Sequence, residues 1–147
     1  MSNEVKTFDL DLHAAEFSQT IIANVLGIKE KPGDTENLIT KALGVLQENG
    51  VYACALFLYA RTTDKRIAEQ VRNGLFQMTK QLGLEPPQNA DWQDGLKFVS
   101  GKICDDLDRL LLVRQLWEQT LIYARYGAKA WGVKSDDKEK QPKGDKQ

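Results

Sequence analysis

A turn that opens directly into a nearly unbroken apolar run constrains this chain more than any other feature: residues 49–61 read NGVYACALFLYAR. Asn-Gly ends one helix with a residue at positive φ and launches the next. A helix apolar on nearly every side needs neighbours on several sides. The segment therefore predicts a helical hairpin whose second arm is almost entirely core.

Elsewhere apolar residues recur at spacings of three and four and never alternate for long. That periodicity predicts an all-α fold: a single-domain bundle of about six helices with a long C-terminal helix. In the first helix Leu10, Ala14, Phe17, Ile21 and Val25 form one stripe, closed by Gly27 before a Pro32-Gly33 turn. Asp34 or Thr35 is the expected cap of the second, with Leu38, Ala42, Val45 and Leu46 inward. Thr63 or Asp64 opens a fourth, striped by Ile67, Val71, Leu75, Met78 and Leu82 and ended by Gly83. Pro86-Pro87 makes a connector no helix crosses. Asp91 then caps a fifth helix with Trp92, Leu96, Val99 and Ile103 inside, and the last helix covers residues 105–131. Residues 1–8 are expected to be flexible, residues 9–133 to form the helical domain, and residues 134–147, which mix charges without one apolar residue, to be a disordered tail.

At 147 residues, 41% hydrophobic and 28% charged, with formal net charge -1, the chain is one domain's worth of ordinary globular sequence and buries about two thirds of its unfolded surface. Cys54 and Cys104 sit in apolar helical patterns far apart and are expected as buried free thiols. The first residues are acidic without an apolar core, and no apolar stretch reaches the ~20 residues of a membrane span. A soluble, cytoplasmic protein without membrane contact is the expectation. Catalytic equipment is missing too: His13 is the single histidine, without a Cys or carboxylate at ligand spacing, and there is no phosphate loop, serine elbow or Cys-His pair. Asp105, Asp106 and Asp108 suit a helix N-terminus better than a cation. No enzyme, metal or cofactor is expected.

Charge distribution is more telling than net charge. Asp91, Asp94, Asp105, Asp106 and Asp108 precede a final helix carrying Arg109, Arg114, Arg125, Lys129 and Lys134 against Glu118 alone. At about 100° per residue, Arg114, Arg125 and Lys129 share a sector of about 60°, beside a seam of Leu110, Trp117, Leu121, Ala124, Ala128 and Trp131. On the fourth helix Lys65, Arg66, Arg72 and Lys80 lie opposite the apolar stripe, with Glu69 and an aromatic, Phe76, among them. Two readings stand: a solvated face with one aromatic tucked under a neighbour, or a surface that meets RNA phosphates or another protein.

The segment ENGVYACALFLYART resembles the hallmark of the small α-helical subunit of type III CRISPR-Cas effector complexes, in its Cmr branch. Asn49, Gly50, Phe57, Leu58, Ala60 and Arg61 match in place, and TLIYARYGAKA at residues 120–130 is similar to that family's final helix through Tyr123 and Arg125. Ala53 stands where glutamine is frequent and Tyr123 where tryptophan is common. The resemblance covers residues 38–131. It implies a non-catalytic subunit that stacks in several copies as a minor filament beside the backbone and large subunits and supports binding of guide RNA and target RNA. Arg61, Arg114, Arg125 and Lys129, then Lys65, Arg66 and Arg72, are the expected RNA-facing residues, and Asp105, Asp106 and Phe76 the expected protein contacts. The alternative is a helical adaptor that binds a partner protein through an exposed seam without nucleic acid.

Overall fold

The structure, a computed structural model, describes residues 9–88 and 91–140, residues 135–140 by backbone alone. Asp9 starts the first helix by accepting the Leu12 amide on Oδ1 at 3.0 Å, which satisfies a donor otherwise left over at a helix start. Among the described residues the chain forms α1 (Leu10–Gly27), α2 (Pro32–Asn49), α3 (Val51–Ala60), α4 (Lys65–Met78), α5 (Trp92–Phe98) and α6 (Leu107–Lys140), and no strand. A 3-10 turn (Thr79–Leu82) prolongs α4 and a π turn (Val99–Ile103) prolongs α5. This is the expected single-domain helical bundle with a long last helix.

Short connections fix the directions of the helices. Gly50, at φ 100°, both closes α2 and opens α3, a backbone angle for which glycine is suited. Residues 28–31 turn α1 back into α2. Arg66, at the start of α4, donates from Nη2 to the Ile28 carbonyl at 3.2 Å and so sits beside the end of α1. Early α6 meets the end of α2, where Arg114 donates to the Gln47 carbonyl at 2.7 Å. Late α6 meets the start of α2, where Lys129 Nζ lies 3.8 Å from Glu36. One end of the bundle thus gathers the α1–α2 corner, the α3–α4 corner and late α6. The other gathers the α2–α3 turn and the start of α6.

The core is built on Trp117, which is fully buried and donates from Nε1 to the Leu75 carbonyl at 3.0 Å. Phe76 stacks on it at 6.1 Å between centroids and meets Phe98 at 5.7 Å and Tyr59 at 6.3 Å. At 2% exposure, Phe76 is not the exposed protein contact expected from its place on a polar face. It is central to an aromatic cluster, because Phe98 of α5 and Tyr59 of α3 cover the side of α4 that a single-stripe reading leaves to solvent.

Other boundaries differ as well. α2 begins at Pro32, with Lys31 as its N-cap, rather than at Asp34 or Thr35; proline is pre-organised for the first helical position and loses no useful donor there. Trp92 points outward at 59% exposure, because it is the first residue of α5 and the helix reaches the core only at Gly95 and Leu96. In α3, Tyr52 and Leu56 are exposed while Val51, Cys54, Ala55 and Leu58 are buried, so the arm keeps one open edge. α6 continues to Lys140, past the end expected at Trp131, since lengthening an existing helix avoids the nucleation step. The expectations for residues 1–8 and 141–147 lie outside the described residues.

Cys54 and Cys104 are both free, but only Cys54 is buried. Burial pushes the Cys54 thiol up to about 12; partial burial first, and then the neighbouring Asp105, also raise Cys104, whose sulfur is nonetheless within reach of solvent. The thiolate is the reactive form. A thiol reagent at mildly alkaline pH is therefore expected to label Cys104 in the native protein, and Cys54 only at the rate of unfolding. Mass-spectrometric mapping of the labelled residues reads this directly, and rapid native labelling of Cys54 would contradict the burial.

Candidate nucleic-acid interface

Cations collect where α1 turns into α2. The corner carries Lys29 and Lys31, both exposed, which received no weight from the sequence because they lie outside any helical stripe. Lys65 and Arg66 open α4 beside this corner, with Arg66 3.5 Å from Glu30. From α6, Lys129 faces Glu36, and Lys134 is exposed. Glu30, Asp34 and Glu36 dilute the patch. The Arg66–Glu30 and Lys129–Glu36 pairs are solvent-exposed on the cationic side, at 64% and 51%, and such pairs contribute only about 0–1 kcal/mol.

The structure does not bring together every cation expected to face RNA. Arg61 lies at this end, but its Nε and Nη2 grip both carboxylate oxygens of Asp64 at 2.8 and 3.2 Å. Its guanidinium also lies 5.0 Å from the Phe57 ring centroid. The Asp64 bond holds the guanidinium still more firmly protonated. The pair ties the α3–α4 corner, and Asp64 consequently makes no side-chain cap for α4. Arg114 is at the opposite end, answering a C-terminal carbonyl of α2, where the helix dipole favours a cation. Arg72 sits mid-α4 with its guanidinium 4.3 Å from the Tyr59 ring centroid. Arg125, one turn before Lys129, lies 5.9 Å from the Tyr126 ring centroid, and its Nε is buried without a hydrogen-bond partner. Lys65, Arg66 and Lys129 therefore remain at the cationic end with Lys29 and Lys31, and Arg125 lies one turn further in along α6.

The far end gathers acids at the start of α6, interleaved with Arg109 and Arg114. Asp106 caps α6 by accepting the Arg109 amide at 2.9 Å, while Asp105 pairs with Arg109 at 3.4 Å. Asp108 lies in the first turn of α6, with Leu107 and Leu111 exposed at 68% and 52% beside it. Asp106 thus acts first as a cap and Asp105 is held in a solvent-exposed pair with Arg109, a kind of pair that contributes only about 0–1 kcal/mol. Comparison with protein-family models, with curated proteins and with solved structures returned no match.

Lys29 is the one described non-glycine residue with positive φ, at 63°. A side chain in that region costs on the order of 1 kcal/mol, and the strain falls in the middle of the cationic corner. Lys29→Gly is expected to leave stability equal or raise it by up to about 1 kcal/mol while removing one cation. Thermal melting and RNA affinity measured together check this. A loss of stability would mean that the lysine side chain holds the corner together.

Proposed function

We propose that this chain is a non-catalytic small subunit of a type III CRISPR-Cas RNA-guided effector complex, stacked in several copies as a minor filament that supports guide and target RNA. The observation that carries the reading is the charge polarity of the bundle: cations at the α1–α2 corner, acids at the start of α6. A surface whose two ends differ in sign favours a heterologous, head-to-tail contact, the kind that builds open filaments. Exposed apolar residues flank both ends, Leu107 and Leu111 on the acidic one, Leu26 and Val133 on the cationic one. A net charge of -1 makes one copy a weak RNA ligand, and linked copies gain through effective concentration. The resemblance at residues 49–61 and 120–130 points the same way.

Loading of the full chain onto single-stranded RNA, followed across salt concentration, tests this. Asp105→Arg with Asp108→Arg leaves the Asp106 cap in place and is expected to abolish cooperative loading. Arg125→Ala with Lys129→Ala is expected to weaken binding of all sequences and to reduce the salt slope by about one unit per lost phosphate contact. Unchanged cooperativity and an unchanged slope would overturn the proposal.

A helical adaptor is the second reading. It is favoured by the exposed edge of α3, Tyr52 and Leu56 at 41% and 46%, which suits a partner helix and needs no RNA.

A further inference from the structure

Away from the cationic end, a cleft of about 520 Å³ opens between α4 and the connector that follows it, a size typical of small-molecule sites. Arg72, Asn73 and Gln77 form one wall, Gln88 stands on the other, and Phe76 lines it from the aromatic cluster. The carboxylates of Glu69 and Asp91 also line it, so with Arg72 the formal charge of the lining is negative. That balance disfavours a phosphate.

Three carboxamides in one cleft select a different chemistry. Each offers a donor pair and an acceptor, and neither Asn73, Gln77 nor Gln88 is hydrogen-bonded through its side chain to another described residue. Alternating donors and acceptors on a flat edge are what a nucleobase presents. Arg72 adds a plane: one guanidinium face lies on Tyr59, and its Nε is buried without a hydrogen-bond partner. Unpaired bases of RNA are held by stacking on arginine planes and by hydrogen bonds to their edges. Phe76 is anchored by Trp117 and Phe98 and fixes the α4 wall of the cleft.

We infer that this cleft receives one nucleobase. The inference rests on the RNA-binding reading above and adds a base site to a backbone site. From Lys65 to Asn73 the rise along α4 is about 12 Å, so a strand held at the cationic end passes close by. The same edge chemistry belongs to a free nucleoside, and the test separates the two sources.

The full chain, labelled with nitrogen-15, is titrated with single-stranded RNA, with an abasic strand of equal length, and with free nucleosides, while side-chain amide signals are followed. RNA with bases is expected to bind about tenfold more tightly than the abasic strand and to shift the Asn73 and Gln77 side-chain signals. Asn73→Ala with Gln77→Ala is expected to remove that difference while leaving the salt slope unchanged. Equal binding of both strands by the wild type, or a preference for bases that survives the double variant, would overturn the base site and leave the subunit reading standing. Shifts with free nucleosides but no binding of either strand would keep the cleft as a nucleoside site and remove the RNA reading. No binding of either strand and no shift with any of the three would overturn both.

Discussion

Replacing Phe76 by alanine is expected to lower stability by about 3–5 kcal/mol and the melting temperature by roughly 6–20 °C. Phe76 is 2% exposed and packs against Trp117, Phe98 and Tyr59, which come from α6, α5 and α3. Removing its ring leaves a cavity bounded by three large rings, and rings of that size close a cavity poorly. Urea unfolding and thermal melting read the effect. A Phe76→Ala protein that melts like the wild type but loses a protein partner would return this residue to the surface role expected from the sequence.

The second large effect concerns how closely α1 and α4 approach. A Cβ built on Gly74 would lie 2.8 Å from Cδ1 of the fully buried Ile21, and nearer still to its Cγ1. Cγ1 is close to the backbone of a β-branched residue and has little room to swing away. Gly74→Ala is therefore expected to destabilise by about 1–3 kcal/mol through overpacking, despite a gain in helix propensity of about 1 kcal/mol. Ile21→Ala alone is expected to cost about 2–5 kcal/mol. Together the two substitutions should cost less than Ile21→Ala alone, because the new methyl enters the space that Ile21 leaves. A double-mutant cycle measures the coupling. Simple additivity would mean that the helices do not meet at these two residues.

Much of the fold was legible from periodicity alone. Ala14, Ile21 and Val25 on α1 and Ile67, Val71, Leu75 and Met78 on α4 are buried as their spacing implies. The Asp91 cap forms as read, accepting the Asp94 amide at 2.8 Å. What periodicity missed has one physical cause: a stripe describes a helix with one neighbour. Phe76 lies about 100° from Leu75 around α4, which is outside the stripe but inside a second contact, made by Phe98 of α5 and Tyr59 of α3. Trp92 erred the other way, since a residue at the first turn can precede the point where its helix meets the core.

The candidate interface was less legible, because whether a cation is available depends on partners distant in sequence. Arg114 is separated from Gln47 by sixty-seven positions, so no local pattern could mark it as a cap for α2. Arg61 shows the reverse: Asp64 lies three residues away, a spacing visible in the sequence and suggestive of an internal pair. Lys29 and Lys31 belong to a corner that only the crossing of α1, α2, α4 and α6 turns into a patch. The gathering of acids at one bundle end and of lysines at the other follows from helix directions, which the short turns at residues 28–31 and at Gly50 largely determine.

Affinity purification of a tagged full chain from its native cells at moderate salt, with sequencing of bound RNA and identification of bound proteins, bears most directly on the central claim. The account predicts short RNAs of uniform length sharing a constant repeat-derived end, recovered with several larger protein subunits. A single protein partner and no RNA would contradict it and establish the helical adaptor in its place.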